Sequence, residues 1–291
     1  MESMISSSTG IPRLGDILPD PGHPNYRLWA NYATFARDRG ELVADILAHF
    51  CPLTAVQVLD VGCGAGGTSL ALAERGASVT AMDFDPKRVA ALRQIATRLP
   101  LRVKKGNAQA LDFPDEAFHC VVLQDVLEHL PQPDRALREV NRVLRPGGYV
   151  YVSTPNRWSP LNFISDPHWN LPGVSVLPRK AVACFITRLV RREKRVRPDF
   201  AALLSFRTIR RLFEQQGFSL RFVNSLVARA LFRRPTSVVN SDFHLKLVAA
   251  LQRLGLASFL TSLVNDDAGL FNAVINPTWY FVAQKGGTPN A

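Results

Sequence analysis

The sequence predicts an α/β fold built on a doubly wound, mostly parallel sheet with helices on both faces. Residues 56–70, VQVLDVGCGAGGTSL, place a short apolar run directly before a glycine cluster and the start of a helix. Residues 77–86, ASVTAMDFDP, hold a second apolar run that ends at Asp83 and leads into another helix start. Further short apolar runs at 101–104, 119–124 and 149–154 alternate with segments of helical spacing. Apolar runs without polar alternation suit strands buried on both faces, and strands that alternate with helices suit a parallel sheet.

Taken in order, the 291 residues, 47% hydrophobic, are enough for one packed domain. Residues 1–24, rich in Ser, Pro and Gly, read as a mobile tail ahead of a single domain over 25–291. They lack the basic start and apolar centre of a signal peptide, and no stretch of 18 uncharged apolar residues follows, so a cytoplasmic protein is expected. Residues 26–50 carry apolar side chains at helical spacing, interrupted near Gly40, which predicts two helices whose aromatics Tyr26, Trp29 and Tyr32 cover the sheet. A strand over 56–61 and a helix over 68–75 flank the glycine turn. A second strand covers 78–82, and a helix over 86–99 opens with Asp85 as its cap and Pro86 in its first turn. Strands over 101–104, 119–124 and 149–154 follow, the last two separated by a helix over 134–144. Residues 156–178, dense in Pro, Trp and Asn, read as an ordered loop or cap. A capped helix over 205–216 and a strand over 218–223 come next. A helical apolar stripe then runs through Phe243, Leu247, Leu251, Leu254, Phe259 and Leu263, and a last strand covers 278–284.

The glycine turn is the chemical centre. Gly62, Gly64, Gly66 and Gly67 allow the backbone to turn sharply and a ligand to approach with no Cβ in the way, which points to a nucleotide-like cofactor. The spacing of Gly62, Gly64 and Gly67 also satisfies the dinucleotide pattern GxGxxG, a weak signal alone. Asp60 decides between them: a carboxylate at the end of a strand repels a pyrophosphate but pairs with a cationic α-amino group. S-adenosylmethionine has that amine and no phosphate. Asp83 stands where a carboxylate accepts from both ribose hydroxyls.

In combination, LDVGCGAGG, MDFDP, DVLEHL and LRPGGYVYVSTPN resemble the class I S-adenosylmethionine-dependent methyltransferases, nearest to the group that includes the ubiquinone and menaquinone methyltransferases. The resemblance covers residues 55–156. It implies a Rossmann-like sheet of seven strands, the last antiparallel, with a cofactor-binding core at 50–156 and cap insertions at 157–204 and 225–277. It implies that Asp60, Gly62 and Gly64 border the methionine part of the cofactor, that Asp83 and Phe84 lie by the ribose, and that Asn107 and Ala108 lie by the adenine. Relatives commonly carry Asp where this chain has Asn107, whose amide oxygen accepts but brings no charge. Ligands in doubly wound folds bind outside the carboxyl ends of the strands, which makes Gln124 a further cofactor contact.

Methyl transfer from a sulfonium is an in-line displacement, so the protein chiefly aligns the reactants and excludes water, and it requires no metal. An oxygen or nitrogen acceptor calls for a base, and His129 and His168 are the candidates. The products are the methylated acceptor and S-adenosylhomocysteine. Residues 179–234 hold 15 Lys and Arg against 3 Asp and Glu, whereas the rest of the chain holds 20 against 21. A basic segment placed on the substrate side favours an anionic small-molecule or lipid-linked acceptor, and beside the apolar stripe it suits peripheral contact with a membrane surface. Nucleic-acid methylation is the rival: the net charge of +11 supports it, but QDVL after the fourth strand is not the Asn/Asp-Pro-Pro-aromatic motif of amino-methylating enzymes. A cofactor-binding module without turnover is a third reading. The four cysteines show no ligand spacing, so neither zinc nor a disulfide is expected.

Overall fold

The computed structural model describes residues 26–96, 99–169, 171–186, 201–239, 242–267, 269–274 and 276–286, without the side chains of 26–33, 242–243 and 270–271. The expected tail at 1–24, the side chains of Tyr26, Trp29, Tyr32 and Phe243, and much of the basic run at 187–200 therefore lie outside the described residues.

Seven strands form one sheet in the order β3-β2-β1-β4-β5-β7-β6. They are β1 (Gln57–Val61), β2 (Ser78–Asp83), β3 (Leu101–Lys105), β4 (Phe118–Gln124), β5 (Leu144–Pro155), β6 (Phe218–Phe222) and β7 (Thr278–Lys285). β1 pairs in parallel with β2 and β4, and β7 is antiparallel to both β5 and β6. The sheet reverses its order between β1 and β4, the place where a doubly wound sheet opens a crevice at its carboxyl edge. The predicted architecture, with its last strand antiparallel, is the one observed.

Apolar layers cover both faces. On one, Leu59, Val61, Val121 and Leu123 of the central strands pack with Leu137 and Val140 of α4 (Pro133–Val143) and with Ile209 and Phe213 of α7 (Phe206–Glu214). On the other, Val58, Cys120 and Val122 pack with Val43 and Leu47 of α1 (Tyr26–Ala48), Leu72 of α2 (Gly67–Glu74) and Val227 of α8 (Asn224–Arg233). α3 (Pro86–Ile95) opens as expected, with Asp85 accepting from the Lys87 amide at 2.8 Å.

Three expectations need correction. Residues 26–48 form one helix, not two, because Gly40 is a contact point: a Cβ there would lie 2.4 Å from the Gly67 carbonyl oxygen, so glycine lets α1 cross α2 with backbones touching. The segment after β5 is not a plain loop but contains α5 (Pro160–Ile164), and α6 (Arg179–Phe185) follows it, each entered at or beside a proline, which suits a first helical turn. The apolar stripe is split into α9 (Asp242–Arg253) and α10 (Ala257–Leu263). Gly255, at φ 71°, stops α9 in the left-handed turn that lets the Leu256 amide reach back to the Leu251 carbonyl. A short α11 (Leu270–Val274) leads into β7.

The first insertion sits at the carboxyl edge, where Asn162 donates to the Asn156 and Pro277 carbonyls at 2.9 and 2.6 Å. The second is divided: α8 joins the core beside α1, whereas Leu254, Phe259 and Leu263 stay exposed on α9, α10 and the turn between them.

Candidate active site

One cavity of about 950 Å³ opens at the carboxyl edge, walled by the glycine turn, the ends of β2 and β4, α1 and the cap. The turn is fixed by its own backbone. The Gly62 and Cys63 amides donate to the Met82 carbonyl, which ties the turn after β1 to the end of β2. Gly64, at φ 54°, turns its amide toward Asp83 and donates to Oδ2 at 2.9 Å. The Asp85 amide donates to Oδ1 at 2.8 Å, so two backbone groups aim this buried carboxylate.

Of the expected cofactor residues, Gly62, Gly64, Asp83, Phe84, Asn107, Ala108 and Gln124 all line the cavity. Asp60 does not. It is buried beneath the turn, where Ser69 Oγ donates to it at 2.5 Å, and burial, aided by the charge of Asp83, raises its carboxyl to about 6. The lone acid of β1 thus finds its polar partner inside the fold. Asn107 Oδ1 already accepts from the Gln109 amide at 2.9 Å, and Phe84 is two-thirds exposed at the rim. Gln124 Oε1 accepts from Thr68 Oγ1 at 2.6 Å, which fixes the orientation of the amide; its Nε2 is buried with no hydrogen-bond partner among the described residues. An oriented donor with nothing to donate to, on a wall shared with glycine backbone and an aimed carboxylate, fits a ligand rich in acceptors and hydroxyls.

The two candidate bases, distant in sequence, come together. The His129 and His168 rings meet edge to face with centroids 4.9 Å apart, and both line the cavity. His129 ends a 3₁₀ turn, Leu127–His129, that follows β4, whereas His168 comes from the cap, where Asp166 Oδ1 accepts from the His168 and Trp169 amides. Beside them is Glu128, which carries no signal of this role in the sequence. Thr154 Oγ1 donates to its Oε2 at 2.9 Å, and Oε1 stands 3.8 Å from His168 Nε2. Burial, with the neighbouring charge of Asp125, pushes the Glu128 carboxyl up to about 8. The carboxyl and the two imidazoles are three titratable groups clustered on one wall of the cavity. They also present ligand atoms all within 4.8 Å of one another, a set that a divalent first-row cation accepts.

Arg39 and Asp125 were also missed as a pair. Arg39, on α1, forms an ion pair with Asp125, and Ser153 Oγ donates to Asp125 Oδ1 at 2.8 Å. Asp125 itself has φ 53°, a left-handed conformation rarely used by a residue with a Cβ. An arginine eighty-six positions upstream carries no local signal of that contact.

Residues 59–152 match the family described as "Methyltransferase domain". This third of the chain is similar to that family. The chain is 40% identical over 138 residues to ubiquinone biosynthesis O-methyltransferase of Pseudomonas entomophila, a stretch that is 45% of this chain and 59% of that protein. It is 38% identical over 120 residues to the enzyme of the same name from Albidiferax ferrireducens, 40% of this chain and 47% of that protein. The chain thus spans about half the length of the curated relatives it matches. Its fold is that of the S-adenosylmethionine dependent methyltransferase from Mesorhizobium loti, with a TM-score of 0.54 and 17% identity over 84% of this chain and 98% of that one. A methyltransferase from Methanosarcina mazei gives a TM-score of 0.51 and 19% identity, with the same coverage.

Proposed function

We propose that the chain transfers a methyl group from S-adenosylmethionine to an oxygen of a small-molecule or lipid-linked acceptor. The observation that carries this reading is that a single cavity holds both the glycine turn with Asp83 and Gln124 and the Glu128, His129, His168 group. The names of the relatives, ubiquinone biosynthesis O-methyltransferases, favour oxygen over nitrogen or carbon.

Bound S-adenosylmethionine supplies an electrophilic methyl on a positively charged sulfur. Asp83 accepts from the ribose hydroxyls, Asn107 and Ala108 flank the adenine, and the free Nε2 of Gln124 donates to an acceptor atom of the cofactor. Asp60 acts from below, through Ser69, by holding the first turn of α2 against β1. His129 or His168 takes the proton from the acceptor hydroxyl as the new bond forms. Pro131, Pro155 and Pro167 wall the cavity and help exclude water.

No helix among the described residues is long and apolar enough to cross a membrane. Contact with a membrane surface is supported instead by exposed apolar side chains: Trp158, Leu161, Phe163 and Ile164 on the first insertion, and Leu247, Leu254, Phe259 and Leu263 on the second. Such contact would deliver a lipid-linked acceptor without its leaving the bilayer.

The test is turnover. Incubation of the full chain and methyl-labelled S-adenosylmethionine with a whole-cell extract should give a labelled small-molecule or lipid product that carries a new methoxy group. Label on nucleic acid only, or tight cofactor binding with no labelled product from any extract, would overturn the reading in favour of one of its two rivals.

A further inference from the structure

Cys51 and Cys120 are 69 residues apart in sequence, yet their sulfur atoms are 3.1 Å apart. Cys51 lies just beyond the end of α1 and is partly exposed, and its thiol also reaches the Leu47 carbonyl at 3.8 Å. Cys120 is fully buried in the middle of β4, between Val58 of β1 and Tyr149 of β5. A disulfide bond is about 2.0 Å long, so roughly 1 Å of approach separates contact from bond, and the partner at the loose end of a helix is the one able to move. The two sites also differ chemically. The contact between the two thiols lowers the Cys51 pKa, whereas that same contact and burial raise Cys120. The thiol that ionises more readily is therefore the one that solvent reaches.

We propose that Cys51 and Cys120 form an oxidation site, in which a peroxide converts the thiol pair to a reversible disulfide that clamps α1 to the central strand. The Cys51 thiolate attacks the peroxide, forming a sulfur–oxygen bond as the oxygen–oxygen bond breaks and hydroxide leaves. Cys120 then attacks the Cys51 sulfur, its proton leaving with the displaced oxygen as water. Two thiols lose two electrons in all, and hydrogen peroxide becomes two waters. The clamp bears on the cavity, because α1 carries Phe35, Ala36 and Arg39 on its wall and β4 ends in Gln124. Cys63, buried in the glycine turn with its pKa raised well above that of a free thiol, is protected from the same chemistry. The proposal is independent of methyl transfer.

The experiment uses the full chain with Cys184→Ser, which removes an exposed thiol able to link two molecules. After hydrogen peroxide treatment at neutral pH, digestion with trypsin and Asp-N without reductant separates Cys51 from Cys63 by cleavage before Asp60. The expected product is a linked pair of peptides, residues 45–59 and 115–124, lighter by two hydrogens than the sum of its halves and released by dithiothreitol. The thermal midpoint of the oxidised protein should rise by several degrees and return on reduction, since the bond closes a long loop in the unfolded chain. Cys51→Ser should abolish both effects, and Cys120→Ala should leave a Cys51 sulfenic acid that dimedone traps. Recovery of unlinked Cys51 and Cys120 under conditions that oxidise Cys184 in the parent chain would overturn the proposal. So would a linked product whose thermal midpoint is unchanged or lowered.

Discussion

Asp60 and Asp83 end neighbouring parallel strands, yet the fold gives them opposite duties. Asp83 lines the cavity with its carboxylate oriented by two backbone amides. Replacing it with Ala should weaken binding of S-adenosylhomocysteine by about 1.5–3 kcal/mol, read by calorimetry, because neutral hydroxyls would lose an ionised acceptor. Asp83→Asn, which keeps one acceptor oxygen, should lose less. An affinity unchanged in both variants would mean that the ribose is held elsewhere. Asp60 is buried, and its carboxyl is raised from 3.8 to about 6. The folded state holds this proton more tightly than the unfolded chain, so the contribution is complete below about pH 4 and is lost as pH rises through 6. A shift of this size corresponds to about 3 kcal/mol. Asp60→Asn keeps an acceptor for Ser69 and removes the titration. Thermal midpoints measured from pH 4 to 7 should therefore fall in the wild type relative to Asp60→Asn, and parallel curves would refute the assignment.

At the scale of elements, the crossing of α1 and α2 governs whether Arg39 reaches Asp125. Gly40 and Gly67 meet there, and a Cβ on either would lie within 2.5 Å of the opposing backbone. Exchange of a helical glycine for alanine ordinarily gains about 1 kcal/mol. Overpacking at a backbone contact costs roughly 1–3 kcal/mol, and no flexible side chain is present here to yield. Gly40→Ala should therefore lower the urea midpoint despite its better helix propensity. It should also weaken S-adenosylhomocysteine binding, since α1 shifts with Phe35 and Arg39. A raised midpoint would mean that the two helices part at little cost.

For the whole molecule, the exposed apolar side chains of the two insertions and the basic excess of residues 179–234 make one prediction about surfaces. Wild-type protein should float with anionic liposomes at low salt. Part of that binding should persist in high salt, because buried apolar contacts outlast electrostatic attraction as the Debye length shortens. Changing Phe259 and Leu263 to Ser should remove the salt-resistant part and leave the salt-sensitive part. If wild type fails to float at low salt, the membrane contact is wrong, whereas methyl transfer to a soluble acceptor is untouched.

The sequence by itself determined the sheet, its glycine turn and the positions of Asp83, Asn107, Ala108 and Gln124 on the cavity wall. Those features are local: a strand, the turn after it and the next helix start lie within about fifteen residues, and apolar runs together with glycine and proline chemistry specify them directly. Tertiary structure alone decided the rest. Gly40 looked like a break until a second helix was seen lying against it, and Asp60 looked like a ligand contact until Ser69 was found as its partner. Glu128 has the sequence context of an ordinary loop acid, and its raised pKa comes from complete burial beside Asp125. His129 and His168, Arg39 and Asp125, and Cys51 and Cys120 become pairs only when distant segments pack together. No periodicity encodes such contacts, because the free energy that places them is the burial of other residues' apolar surface.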